Sequence, residues 1–219
     1  MTTFDLDGCL RCSACELAAT RHKVVVGRGN PVAPLMLIGE APGAQEDQSG
    51  VPFKGRSGQV LDRLLMEAGF NVDEDIYICN AVKCRPPSNR RPKKNELAAC
   101  RPWLDMQIAL VNPAVIVLTG ATAVEALLGT KAAMTQLRGK WQSWQGRSVM
   151  PIFHPAYLLR HAQTKEGGPV ELTAFARLMT VLKTAAVPEA RPSPPISGAP
   201  SRRQTRFSRT SVVGFMRRV

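Results

Sequence analysis

Long apolar runs are missing from this 219-residue chain. No stretch approaches the roughly 18 consecutive apolar residues that a membrane-crossing helix needs. The amino terminus, Met1-Thr2-Thr3-Phe4-Asp5-Leu6-Asp7, lacks both the basic start and the apolar core of a secretory signal. The chain therefore reads as soluble and cytoplasmic, with no membrane partner. Acids are also scarce, 17 Asp and Glu against 29 Lys and Arg, for a formal charge of +12. That surplus suggests a polyanionic partner, and charge alone does not choose among polyanions. Six cysteines in a reducing compartment do not make a disulfide framework, so those spaced as ligands point to metal or redox chemistry.

What is present is organised around residues 24–65. Leu35-Met36-Leu37-Ile38 is an unbroken apolar run and predicts a buried strand. The Gly- and Pro-rich turn after it sets Glu40, Glu46 and Asp47 at the strand's carboxyl end, where open α/β sheets take their ligands. After a long loop, Val60, Leu61, Leu64, Leu65 and Ala68 recur at helical spacing. Further strands are predicted at 24–26, 76–82, 115–118 and 149–153, and helices at 95–110, through Val124 to Leu128, and at 170–182. Residues 83–94 form a proline-broken basic loop that cannot be a regular element.

Strands alternating with helices predict one three-layer α/β/α domain, residues 1–186, around a central, mostly parallel sheet. From Val187 the composition turns to Pro, Ser, Gly and Arg, with seven arginines against one glutamate. This predicts a disordered basic tail over 187–219, either a nucleic-acid arm or an extension without a role.

Cys9, Cys12 and Cys15 lie three apart, giving two overlapping C-x2-C pairs with one thiol too many for a four-ligand site. Cys12 and Cys15 can meet Cys84 and Cys100 at one edge of such a fold. Sets of four thiolates bind zinc or iron–sulfur clusters, and spacing does not separate the two. Unrelated buried thiols are the plainer alternative. Cys79, among apolar neighbours, reads as a packed core thiol.

Phe53 is an apolar ring in a polar, glycine-bounded loop, and is either a face for a flat heterocycle or an inward anchor. Asn80, at a strand end, carries the donor and acceptor needed to read a pyrimidine edge, and equally can end a strand. His154 follows a strand at the same sheet edge and can donate to an anion developing on a leaving group.

Four motifs now stand together: Gly39-Glu40-Ala41-Pro42-Gly43-x-x-Glu46-Asp47; Gly50-x-Pro52-Phe53; Asn80-x-Val82-Lys83-Cys84-Arg85-Pro86-Pro87-x-Asn89-Arg90; and His154-Pro155-Ala156-Tyr157-Leu158-Leu159-Arg160. They closely resemble the family 4 uracil-DNA glycosylases, the iron–sulfur bacterial and archaeal branch, over about residues 12–182. The resemblance implies a DNA repair enzyme that flips deoxyuridine from uracil-containing DNA and hydrolyses its N-glycosidic bond, acting as a monomer without covalent trapping. It implies a structural 4Fe–4S cluster on Cys12, Cys15, Cys84 and Cys100, with Cys9 and Cys79 as spares.

Within the site it implies that uracil stacks on Phe53, is read by Asn80, and has its departing charge stabilised by His154 and a backbone amide in the loop from Gly39 through Ala41 to Gly43. Glu40 then orients water or balances the positive sugar, with Asn89 as second choice. Asp47 joins the substrate-binding group. Where family 1 enzymes have Gly-Gln-Asp-Pro-Tyr, this chain has Ala41 for the aspartate and Gly43 for the tyrosine that blocks thymine, so Glu46 is the expected block. Arg85, Arg90, Leu158 and Arg160 are the expected DNA contacts. The competing class is a non-catalytic nucleic-acid-binding protein on a zinc-stabilised scaffold, which has no need of Glu40, Phe53, Asn80 and His154 together.

Overall fold

In a computed structural model the protein is described over residues 4–160, with side chains as far as Tyr157. The helix expected at 170–182, the tail from Val187, and the side chains of Leu158 and Arg160 lie outside the described residues. The elements run α1 (Leu6–Leu10), β1 (Arg28–Gly29), β2 (Leu35–Gly39), α2 (Ala44–Ser49), α3 (Arg56–Glu67), β3 (Ile76–Asn80), α4 (Lys94–Val111), β4 (Val115–Thr119), α5 (Ala121–Leu128), α6 (Met134–Leu137), β5 (Gln142–Trp144), β6 (Arg147–Ile152) and α7 (Pro155–Arg160). Among the described residues no helix is long and apolar enough to cross a membrane.

One six-stranded sheet has the order β1-β3-β2-β4-β6-β5. The four inner strands are parallel and the two edge strands antiparallel. Every residue of β2, β3 and β4 is buried, because parallel strands covered on both faces must be apolar throughout. Leu35, Leu37, Ile78 and Val117 face a layer that includes Leu61 and Leu65 of α3. Met36, Ile38, Cys79 and Leu118 face Leu104 and Ile108 of α4 and Val124 of α5. This is the expected α/β/α arrangement.

The topology fixes where a site can form. From β2 the chain passes through α3 to β3 on one side, and from β3 through α4 to β4 on the other side of β2. The two connections part beside the carboxyl end of β2, the point at which such sheets open a crevice. Register brings the strand ends level, with Gly39 opposite Asn80 and Thr119 opposite Ile152.

Three local features differ from expectation. The apolar residues 24–26 are buried but pair with the sheet only through Arg28 and Gly29. A Cβ at Gly29, where φ is +86°, would lie 2.2 Å from the Ile76 carbonyl oxygen, so the close approach there is open to glycine alone. The loop after β2 contains helix α2, whose start is secured when Gly43 N–H donates to Glu46 at 3.0 Å, half of a capping box. A hairpin joins β5 to β6 through Gln145 and Gly146, both at positive φ, the conformation that two-residue hairpin turns need.

Candidate active site

A cleft of about 440 Å³ opens at the carboxyl ends of the inner strands, and its lining includes Glu40, Ala41, Gly43, Glu46, Phe53, Asn80, Asn89, Arg90 and His154. Nine residues singled out by sequence thus meet in one place. Gly39 lies beneath them: a Cβ there would come within 2.4 Å of Asn80 Oδ1 and 2.5 Å of Phe53 Cζ. Glycine at the end of β2 is therefore what lets the phenyl ring and the amide close on the same point.

Phe53 is held firmly. It has φ of 53°, unusual for a residue with a side chain, and its carbonyl oxygen would lie 1.8 Å from a Cβ at Gly58, so the first turn of α3 packs directly on it. The ring is only 7% exposed and joins the core on the α3 side. It is both an inward anchor and part of the cleft wall.

Asn80 ends β3 and is 2% exposed. Its carbonyl accepts from Lys83 Nζ at 2.5 Å, and Ala81 N–H donates to Gly39 O at 2.8 Å, so its backbone is fixed from both sides. Its side-chain amide has no protein partner among the described residues.

His154 follows β6 and stands beside Gly120, where φ is +88° and a Cβ would lie 3.2 Å from the histidine Cβ. The Ala156 N–H donates to His154 Nδ1 at 3.1 Å. An accepting Nδ1 puts the proton of the neutral ring on Nε2, which makes Nε2 the donor.

The acids divide by what holds them. Glu40 accepts from Thr122 Oγ1, across from the first turn of α5. Glu46 accepts from Gly43 N–H through one oxygen and Gly55 N–H at 2.8 Å through the other, fixing its carboxylate in the cleft wall. Asp47 turns elsewhere: it is 1% exposed and accepts from the backbone N–H groups of His22 and Lys23 at 2.9 and 3.3 Å. It ties α2 to the segment before β1 and does not line the cleft. In the basic loop Arg85 Nε donates to Asn89 Oδ1 at 2.7 Å. Arg90 donates to both oxygens of the buried Glu96, at 2.9 and 2.6 Å, so its guanidinium is already in a bidentate pair.

The thiols also converge. Cys9, Cys12, Cys15, Cys84 and Cys100 line one pocket with Arg21, Lys83 and Trp103, and no acid or histidine is in that lining. N–H groups aim at three of the sulfurs: Trp103 Nε1 at Cys12 (3.3 Å), Lys83 N at Cys100 (3.3 Å) and Arg21 Nη1 at Cys84 (3.4 Å). Burial pushes Cys9 up to about 12 and Cys100 to about 11, against the lowering effect of Lys83. Among the described residues no three His, Cys, Asp or Glu side chains form a site for a metal ion. Cys79 is a buried core thiol, as expected.

Sequence reasoning gave no site role to Thr122, Lys83 or Glu96. Thr122 acts through a partner that only the fold supplies, as does the Lys83 N–H that reaches Cys100. Glu96 carried a local signal, since it sits three residues after Lys93 and accepts the Lys93 N–H at 2.7 Å.

Comparison with known proteins places the chain in a family. The family model of the Uracil DNA glycosylase superfamily matches residues 26–177. The type-4 uracil-DNA glycosylase of Thermotoga maritima is 49% identical over 153 residues, covering 69% of this chain and 79% of that protein. The type-4 enzyme of Saccharolobus solfataricus is 38% identical over 169 residues, covering 73% and 78%. A type-5 uracil-DNA glycosylase of Thermus thermophilus is 38% identical over 118 residues, covering 48% and 53%. By sequence, the chain belongs to the uracil DNA glycosylase superfamily and, within it, to the type-4 uracil-DNA glycosylases.

Proposed function

We propose that this chain excises uracil from DNA as a monofunctional glycosylase, hydrolysing the N-glycosidic bond of a deoxyuridine flipped from the duplex and leaving an abasic site. The observation that carries the site assignment is Asn80: an amide that is almost fully buried, without a protein partner among the described residues, in a cleft it shares with a phenyl ring and a histidine. An amide that lines the cleft without a protein partner leaves its donor and acceptor open to a pyrimidine edge.

The flipped base stacks on Phe53 and exchanges hydrogen bonds with Asn80. As the bond from C1′ to the ring nitrogen stretches, the sugar gains positive charge and uracil gains negative charge. His154 donates from Nε2 to the anion, joined by a backbone amide of the loop after β2; one well-aimed donor of this kind is worth about 3 kcal/mol. Glu40 holds the water or balances the sugar, the water's oxygen bonds to C1′, and its proton leaves to solvent or to the departing base. Asn89 is the second candidate for the water. Glu46, pinned by Gly43 and Gly55, is the residue assigned to block a 5-methyl group. Gly39 and Ala41 supply backbone and leave room. Arg85 and Arg90 are the proposed phosphate contacts, and Leu158 and Arg160 are assigned to the segment that enters the duplex.

Cys12, Cys15, Cys84 and Cys100 would hold a 4Fe–4S cluster, which when bound ties residues 12–15 to the loop and helix at 84–100. The donor set fits: the four thiols share one pocket without an acid, and hydrogen bonds that would tune a bound cluster reach three of their sulfurs. The test of the function is release of free uracil from a uracil-containing oligonucleotide, with loss of release in Asn80→Ala. Release at the wild-type rate in that variant would remove the base-reading assignment.

A further inference from the structure

We infer that Thr122 is a positioning residue for the reaction, acting through Glu40. The inference rests on the role just proposed for Glu40 and adds to it the group that sets the carboxylate's geometry.

Thr122 lies 82 residues away from Glu40 in sequence, yet its Oγ1 donates to Glu40 Oε2. It is the second residue of α5 and is 2% exposed, so the hydroxyl cannot be replaced by bulk water. A threonine in a first helical turn ordinarily turns its oxygen to its own backbone. Here it reaches over to a strand-end carboxylate instead. The turn that brings it there depends on Gly120, at φ of +88°, which as the residue before α5 has no side chain of its own to offer the helix.

The consequence is that Glu40 is fixed from two elements. Val82 N–H donates to the Glu40 carbonyl at 3.2 Å, which holds the main chain to the continuation of β3. Thr122 holds one side-chain oxygen to α5. The other oxygen, Oε1, has no protein partner among the described residues and belongs to a residue in the cleft lining. A carboxylate with one oxygen tethered and one open presents a single acceptor in a set direction, which is what orienting a water or facing a cationic sugar demands. The first turn of α5 adds a favourable end of the helix dipole for the charge. No cleft residue other than Glu40 uses this hydroxyl among the described residues, so its loss acts on one group.

The test uses the full chain and single-turnover excision from a uracil-containing oligonucleotide across enzyme concentrations. Thr122→Val keeps the shape and removes the donor. It is expected to slow the saturated rate by on the order of tenfold, the scale of one hydrogen bond to a charged group, while the half-saturating concentration and the thermal unfolding midpoint stay near wild type. Thr122→Ser, which restores the hydroxyl, should recover most of the rate. Adding Thr122→Val to Glu40→Gln should cost little further, since the hydroxyl acts through that carboxylate.

A wild-type rate in Thr122→Val, or losses that multiply in the double variant, would overturn the inference while Glu40→Gln remains slow. A wild-type rate in Glu40→Gln would instead remove the role of Glu40, and the inference with it. If Thr122→Val fails to fold, Thr122→Ser at the wild-type rate together with a slow Thr122→Ala supports the inference, and equal rates in those two overturn it.

Discussion

The ring of His154 stands 5.9 Å from the ring of Phe53, within 25° of parallel. The two residues are 101 positions apart in sequence and come from different sides of the cleft, one from the loop before α3 and one from the end of β6. In the proposed reaction their work differs in kind. Stacking on Phe53 changes little between bound base and broken bond, whereas a hydrogen bond from His154 strengthens as charge gathers on uracil. Only the second raises the chemical rate selectively; the first also sets affinity.

Asn80→Asp exchanges an amide donor for an acceptor at the pyrimidine edge. Because the cleft-facing amide of Asn80 has no protein partner among the described residues to occupy it, the exchange should fall on the base alone. Uracil release should drop by about tenfold or more, the scale of losing a hydrogen bond at a buried site and leaving a group unpaired. Excision assays on the same oligonucleotide, with wild type alongside, check it; equal rates would show that Asn80 does not read the base.

Glu96 gives a pH prediction. Its hydrogen bonds from Arg90, and then from the Lys93 N–H, hold the carboxyl at about 2 against an ordinary 4.5. A folded value below the unfolded one means that the unfolded chain binds the proton more readily. The stabilisation is therefore complete above about pH 5 and is lost as pH falls from 4.5 towards 2. Over that window it amounts to at most about 3 kcal/mol, reduced by the solvent that screens the Arg90 side of the pair. Urea melts of wild type and Glu96→Gln should differ at pH 7 and converge towards about pH 2.5. A gap that does not change with pH would separate Glu96 from acid stability.

The strands at the heart of the sheet were legible in the sequence because burial on both faces forces runs such as Val115-Ile116-Val117-Leu118, four apolar residues in succession that no solvent-facing element would tolerate. The strand-end residues were legible for a related reason, as polar side chains directly after apolar runs. What the sequence did not disclose depends on long-range contact. Nothing local marks Thr122 as the partner of Glu40, or the Lys83 N–H as a donor to Cys100. Asp47 carried the same local signal as Glu46, one position on, but the turn of α2 sends it to His22 and Lys23. Gln145-Gly146 makes a hairpin without the Asn-Gly pair that usually announces one.

The thiols yield a contrast between neighbours. Cys84→Ala should lower iron content and soluble yield together, because it removes a ligand that Arg21 already addresses. Cys9→Ala should leave iron content near wild type, since Cys9 is wholly buried and surplus to a four-ligand set that takes the part-exposed pair Cys12 and Cys15. Iron and sulfide assays on anoxically purified protein decide the matter. Full iron in Cys84→Ala, or its loss in Cys9→Ala, would reassign the ligands.

The central claim is that the cleft at the ends of β2, β3 and β6 breaks the glycosidic bond of deoxyuridine with His154 stabilising the departing base. Single-turnover excision from a uracil-containing oligonucleotide, run with His154→Ala and Phe53→Ala over a range of enzyme concentrations, tests it most directly. His154→Ala should be slower at saturation by about a hundredfold or more, with DNA affinity little changed, the scale for losing one donor to a developing anion. Phe53→Ala should weaken binding as well as slow the reaction. A wild-type rate constant in His154→Ala at saturating enzyme would contradict the account.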